Sequence, residues 1–321
     1  MSLQENLSII DTVYGEAEGK GLGEDSFTRN TIDGVRYFGV FDGCGGLGAR
    51  RYEAASNHTG AWIASRIAAC AVDSFAANEK FTFEENTAEL LAKKISMFLR
   101  TAKEKLSNNT GVQVGGSLSK SMPTTACIAA AKMNVDKNGT EKLICDFFWT
   151  GDSRAYVLDQ NGLCQITKDD IDSNADDAFE NLREDGRLTN VANADDKFTL
   201  NRVSANFKMP KIIICSTDGG FGYLDSPMEF EYLLLNTMQE SNTPDEWNKI
   251  LNNVLKEIAG DDYTLIIEIF GFKDFITMKN YFYNRICQLK SEYLPLSDNP
   301  SEDELKELWQ KYKIEYNKYI K

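Results

Sequence analysis

From Ser26 to Phe41 apolar and polar residues alternate on either side of Asp33-Gly34, a dipeptide suited to the left-handed backbone of a tight hairpin. The alternation predicts strands over 26–32 and 35–41. Apolar positions then recur at helical spacing over 49–75 and 85–106, and both stretches are too long for strands, so two long helices are expected. After a Gly/Ser-rich loop at 107–121 strand-like runs follow, 124–133 with 142–150 around Asp136-Lys-Asn-Gly139, and 154–159 with 163–167 around Gln160-Asn-Gly162. Residues 168–197, rich in Asp and Asn with little periodic apolar content, read as a mobile surface flap with a short helix. A short buried strand at 212–216, helices at 227–238 and 244–258, and a final strand at 263–270 come next.

Strands grouped with helices, without strict β-α-β alternation, favour an α+β layered sandwich over a parallel doubly wound sheet. Beyond Gly271 the chain turns helical, at 273–293 and 302–320, the second opened by the capping box Ser301-Glu-Asp-Glu304. The expected organisation is a main unit at 1–271 carrying a helical C-terminal extension at 272–321. Aromatic residues of that extension, Tyr281, Phe282, Tyr283, Trp309, Tyr312, Tyr316 and Tyr319, are expected to pack on the main unit.

Composition narrows the function classes. The chain has 321 residues, 42% of them hydrophobic, enough for a sizeable core, and a formal net charge of −14. That charge, with no clustered Lys/Arg stripe, argues against binding nucleic acid or an anionic membrane surface. No apolar run approaches the roughly 20 residues of a membrane span, and Met1-Ser-Leu-Gln-Glu-Asn6 has neither the basic nor the apolar region of a secretory signal, so a cytoplasmic location is expected; the expected state is a monomer. Seven scattered cysteines without C-x-x-C spacing fit neither a disulfide framework nor a zinc site.

The stretch Tyr37-Phe-Gly-Val-Phe-Asp-Gly-Cys-Gly-Gly-Leu-Gly-Ala-Arg50 runs from a strand into a glycine-rich turn. Gly43, Gly45 and Gly48 spell G-x-G-x-x-G, the phosphate-cradling pattern of dinucleotide-binding folds, but Asp42 would present negative charge to a pyrophosphate. Acids stand at three further strand ends: Glu24-Asp25, Asp218 and Asp261-Asp262. Any one of these is an ordinary turn residue. Together, carboxylates at the ends of apolar strands call for a compensating charge, and a divalent cation supplies the strongest one. Oxygen donors without a His or Cys set select a hard ion, Mg2+ or Mn2+.

The order of motifs resembles the metal-dependent type 2C protein serine/threonine phosphatases, the PPM family, over most of residues 10–271. Glu24-Asp-Ser26 is similar to the family's N-E-D-S element, Phe41-Asp-Gly-Cys-Gly-Gly46 to D-G-H-G-G or D-G-M-G-G, and Pro123-Thr-Thr-Ala126 to G-T-T-A. Trp149-Thr-Gly-Asp-Ser-Arg-Ala155 resembles V-G-D-S-R-A, Gln165-Ile-Thr-Lys-Asp169 L-T-x-D, Cys215-Ser-Thr-Asp-Gly219 C-S-D-G, and Asp261-Asp-Tyr-Thr264 D-N-x-T. The resemblance implies a four-layer α-β-β-α sandwich of two antiparallel sheets flanked by helices, with a two-metal site at one end. It implies that Asp42 bridges both ions, that the Gly43 carbonyl binds one, that Glu24, Asp218 and Asp261 reach them directly or through water, and that Asp25 acts through water or its neighbours. The implied activity is hydrolysis of phosphoserine and phosphothreonine in protein substrates by attack of a metal-bridging hydroxide. The Asp152-Ser-Arg154 turn is expected to be structural, with Asp152 and Arg154 organising the hairpin.

Several positions depart from the family pattern. Lys20 stands where most relatives place a phosphate-binding Arg, and it lacks Arg's bidentate fork. Cys44 occupies the position of a His general acid in eukaryotic relatives and of Met in many bacterial ones. Pro123 replaces a Gly and Asp170 a His, while the sole histidine, His58, falls within the helix expected at 49–75. Lys20 and Cys44 motivate an alternative, a catalytically weak or silent phosphatase-like domain that binds a phosphoprotein, or a partner through the C-terminal helices.

Overall fold

In the computed structural model of the chain, Asp33 and Gly34 adopt φ of 50° and 77°, the left-handed pair that closes a two-residue hairpin with the right twist. Ser26–Ile32 and Val35–Phe41 pair antiparallel across it, from Ile32↔Val35 to Ser26↔Phe41. The structure describes residues 12–17, 19–107, 120–135, 139–172, 177–182, 186–296 and 300–320. Residues 136–138 of the turn expected at 136–139, residues 108–119 of the loop expected at 107–121 and part of the flap expected at 168–197 lie outside them.

In chain order, β1 (Val13–Gly15), β2 (Ser26–Ile32) and β3 (Val35–Phe41) lead into a single helical turn, α1 (Gly45–Gly48), and a small hairpin, β4 (Arg51–Tyr52) and β5 (His58–Thr59). Helices α2 (Gly60–Asn78) and α3 (Thr87–Ser107) precede β6 (Ala126–Val135), β7 (Glu141–Thr150), β8 (Arg154–Asp159) and β9 (Gly162–Gln165). A two-strand ribbon, β10 (Ile171–Asp172) and β11 (Arg187–Leu188), comes before β12 (Asn201–Lys208) and β13 (Lys211–Ser216). Then follow α4 (Pro227–Glu240), α5 (Pro244–Ile258), β14 (Tyr263–Phe270), α6 (Phe275–Gln288) and α7 (Glu302–Tyr316).

Two five-stranded antiparallel sheets result, ordered β12-β7-β6-β3-β2 and β1-β14-β13-β8-β9. The two-residue period of β3 sends Phe38 and Val40 to one face and Tyr37 and Phe41 to the other. Phe38 and Val40 join Cys127, Phe147, Val157, Ile213, Cys215 and Ile266 in the core between the sheets. Tyr37 and Phe41 meet Ala64, Ala68, Val72, Leu91 and Ile95 of α2 and α3. On the far side, Leu158, Ile214 and Ile267 bury against Leu234, Trp247, Met278, Phe282 and Trp309 of α4 to α7. The molecule is therefore the four-layer α-β-β-α sandwich that the motif order implies.

The extension shares that last apolar cluster with the second sheet, burying Trp309, Tyr312 and Tyr316. Ser301 caps α7 by accepting the Glu304 amide at 3.2 Å. Beneath α7, fully buried Glu231 accepts Arg285 Nε and Nη2 at 2.7 and 2.8 Å and the Tyr312 hydroxyl at 2.5 Å. A buried charge needs such complete pairing to be tolerated. Tyr283, expected to pack, is 60% exposed. The first tail helix ends at Gln288, and a π-helical turn carries the chain to Tyr293.

Two expectations are corrected. The helix expected from Ala49 starts at Gly60, because Ser56 and Asn57 adopt left-handed φ of 54° and 64° and fold 51–59 into the β4–β5 hairpin. His58 therefore sits on β5 and stacks on Trp62, ring centroids 3.7 Å apart. The unforeseen edge strand β12 is mainly polar; its Arg202 donates from Nη2 to buried Asp146 at 2.7 Å, and Ser204 donates to the same carboxylate at 2.5 Å. Among the described residues no helix is long and apolar enough to cross a membrane.

Candidate functional site

Asp42 leaves the end of β3 on a backbone clamped from both sides. Its N–H donates to Thr125 Oγ1 at 3.1 Å, and its carbonyl accepts the Thr125 amide and the Thr124 hydroxyl, each at 2.8 Å. Gly43 passes so close to α2 that a Cβ there would lie 2.5 Å from the Ala61 carbonyl oxygen, so only glycine lets the turn approach the helix. The Pro123 carbonyl accepts the Cys44 amide at 3.2 Å.

Glu24 is oriented by three elements. Its N–H donates to Asp262 Oδ2 at 2.6 Å, its carbonyl accepts the Ser65 hydroxyl at 2.5 Å, and its carboxylate accepts the Thr59 hydroxyl. Thr59 also accepts the Trp62 amide at 3.0 Å, so the residue that starts α2 aims Glu24 as well. Arg66 braces the same strand end, donating to the Gly23 carbonyl at 3.0 Å, with its guanidinium 3.8 Å from the Trp62 ring centre.

Asp218 follows β13 and opens a helical turn. A Cβ on Gly219 would sit 2.0 Å from the Asp262 carbonyl oxygen, so this turn too requires glycine. Asp262 is buried and structural, accepting the Ala17 and Glu24 amides at 2.7 and 2.6 Å, whereas its neighbour Asp261 is exposed at the rim. Asp25 accepts the Thr217 hydroxyl at 2.8 Å, tying the first acidic pair to the strand that delivers Asp218.

Glu24, Asp42, Gly43, Cys44 and Asp261 line one cleft of about 560 Å³; Asp152, Asp169 and Asp218 line a second of about 490 Å³. The acids sense one another across the two. Burial, then the charges of Asp218, Asp25, Asp152 and Asp261, holds Asp42 well above the ordinary carboxylate range. Burial also raises Asp25, with Asp218 and Asp262 adding to it against the hydroxyls of Thr217 and Thr264. Asp218 is pushed to about 6 by burial and Asp261, and Asp152 to about 8 by burial and Asp218. Burial and Asp42 push the Cys44 thiol well up.

Two carboxylate oxygens, Asp25 Oδ1 and Asp152 Oδ1, are buried without a hydrogen-bond partner. Orphaned acceptors of this kind are costly. Among the described residues no three His, Cys, Asp or Glu side chains converge into a ready metal cage. The donor chemistry nevertheless suits hard divalent ions: repelling, partly orphaned carboxylates around a cleft, oxygen donors only.

Lys20 is exposed and lines a separate hollow of about 540 Å³ on the other side of Asp261, together with Lys256. Asp152, expected to be structural, lines the second cleft beside Asp218. The Arg154 fork pairs not with it but with Asp169, at 3.0 Å from Nε and 2.6 Å from Nη2. The available signal was its place after an apolar strand, like Asp42 and Asp218. Asp170 accepts Gly151 N–H at 3.2 Å, Asn190 Nδ2 at 2.8 Å and Asn201 Nδ2 at 3.0 Å, a fastening role.

No family model matches the chain, and no curated protein matches its sequence. Solved structures do match its fold. The serine/threonine phosphatase Stp1 from Staphylococcus aureus aligns with a TM-score of 0.59 at 19% identity, covering 81% of this chain and 94% of that one. A bacterial serine phosphatase gives 0.57 at 18% identity, over 82% and 97%. The Mycobacterium tuberculosis serine/threonine phosphatase PstP/Ppp gives 0.53 at 12% identity, over 81% and 97%. The chain has the fold of these serine/threonine phosphatases.

Proposed function

We propose that this chain, folded as the serine/threonine phosphatases are, is a metal-dependent phosphoprotein phosphatase acting on phosphoserine and phosphothreonine. The observation that carries the reading is the acidic cluster at one end of the sandwich. The charges of Asp218, Asp25, Asp152 and Asp261 all bear on buried Asp42, and two buried oxygens of the cluster, Asp25 Oδ1 and Asp152 Oδ1, have no hydrogen-bond donor. A fold without a cation to hold has no use for that arrangement.

In this reading Asp42, Glu24, Asp218, Asp261 and the Gly43 carbonyl would hold two Mg2+ or Mn2+ ions, with Asp25 acting through water or its neighbours. When bound, such ions acidify a water and neutralise phosphoryl oxygens during in-line displacement. The chain's own part is positional. Thr124 and Thr125 fix the Asp42 backbone, Thr59 and Asp262 fix Glu24, and Thr217 fixes Asp25. Cys44, a buried thiol whose ionisation is disfavoured by burial and by Asp42, fills one wall of the cleft without adding charge.

The test is phosphate release from phosphothreonine and phosphotyrosine peptides in the presence of Mn2+. The expected result is release from phosphothreonine alone, abolished in Asp42→Asn. Equal release by Asp42→Asn would overturn the assignment.

A further inference from the structure

The cleft at Asp42 is walled by acids, yet its proposed substrate is a phosphate dianion. Among the described residues that line it, one is a cation: Arg51. The other nearby cations are placed elsewhere. Lys20 lines the hollow beyond Asp261, the Arg50 guanidinium lies 5.0 Å from the Tyr52 ring centre, and Arg66 is held against the Gly23 carbonyl.

We infer that Arg51 is the residue that grips the substrate phosphoryl group, an assignment that rests on the hydrolase reading above. Arg51 stands directly across the β4–β5 hairpin from Thr59, the residue whose hydroxyl aims Glu24. Paired residues in a ladder hold their Cβ atoms about 5 Å apart, so the Arg51 side chain leaves the backbone beside Thr59 and lines the same cleft as Glu24 and Asp42. The left-handed Ser56 and Asn57 turn the hairpin back, and Asn57 offers its carbonyl to Arg51 Nη1 at 3.0 Å. That bond occupies one of the five N–H donors and orients the plane; the rest of the fork suits two phosphoryl oxygens in a way the Lys20 ammonium does not. Arg51 is exposed, so it reaches an arriving phosphate without first breaking a buried pair.

The experiment measures inorganic phosphate binding to the Mn2+-saturated full chain by calorimetry, alongside KM for a phosphothreonine peptide, in Arg51→Ala, Arg51→Lys, Lys20→Ala and Arg50→Ala. Arg50→Ala removes the same charge one residue away. Loss of hydrogen bonds to a charged group predicts phosphate binding weakened about 10- to 100-fold in Arg51→Ala, less in Arg51→Lys, with Arg50→Ala at the wild-type value and Mn2+ affinity unchanged throughout. Wild-type phosphate affinity in Arg51→Ala, or a loss confined to Lys20→Ala, overturns the inference, as does a loss of phosphate that merely follows a loss of Mn2+. The two readings fail separately. Phosphate binding that depends on Arg51 without peptide hydrolysis sinks the hydrolase reading and leaves the anion site standing; hydrolysis with an unchanged KM in Arg51→Ala does the reverse.

Discussion

The Thr217 hydroxyl donates to Asp25 Oδ2 at 2.8 Å while accepting the Thr264 amide at 2.9 Å. One hydroxyl thus joins the acid that follows Glu24 to the two strands that deliver Asp218 and Asp261. Thr217→Val keeps the shape and removes both bonds. It should weaken Mn2+ binding by about 10- to 100-fold, the usual effect of losing a residue that supports a metal ligand, and cost about 1–3 kcal/mol for the stranded Thr264 amide. Calorimetric Mn2+ titration and urea unfolding check the two effects.

Without bound cations the acidic cluster ties stability to pH. Asp152 and Asp218 are raised in the folded state to about 8 and about 6 from an ordinary 3.8. Each binds its proton more tightly folded than unfolded, so the contribution is complete below about pH 4 and is lost as pH climbs to about 8. Stripped protein should melt at progressively lower temperature between pH 5 and pH 8, less steeply in Asp152→Asn, and Mn2+ should recover the loss because ligation favours the deprotonated carboxylates. Thermal melts of wild type and variant across that range provide the check.

Arg154 and Asp169 form a buried bidentate pair, both side chains 3% exposed, with the guanidinium also 4.3 Å from the Phe221 ring centre. Arg154→Met leaves Asp169 buried without its cation. A loss of about 3–5 kcal/mol is expected, larger than Arg154 and Asp169 replaced together by apolar residues. Urea midpoints of the single and double variants test this.

Trp309 of α7 stacks on Phe179 with ring centroids 6.0 Å apart and is 1% exposed. Two and three residues further, Asn181 and Leu182 line the cleft that holds Asp152 and Asp218. Trp309→Ala should cost about 3–5 kcal/mol and loosen that wall. Faster amide exchange at 177–182 would show it; exchange unchanged there would mean the wall is held by other contacts.

Much of this molecule was legible along the chain because the cues were local. Asp33-Gly34 marks its hairpin through backbone conformation alone, and the acids Asp42, Asp218 and Asp261 stand out because each interrupts an apolar strand at its end. The misreadings share a different cause. Tyr52 and Ala55 fall at helical spacing, but left-handed Ser56 and Asn57 interrupt any helix, and nothing in the apolar pattern announces them. The edge strand β12 carries polar residues whose partner, Asp146, lies on another strand 56 residues from Arg202. Asp152 looked like the local partner of Arg154 until the fold brought Asp169 closer. Contacts made across the sheets were invisible to spacing.

The central claim is that the acids at the end of the sandwich hold the ions that hydrolysis needs. Its most direct measurement follows Mn2+ binding by calorimetry and phosphothreonine-peptide hydrolysis on the same metal-stripped sample, with Asp218→Asn beside wild type. The account predicts two ions per chain, activity that rises with their occupancy, and loss of both in the variant. Wild-type protein that binds no Mn2+, or that hydrolyses the peptide equally well when stripped, would contradict it.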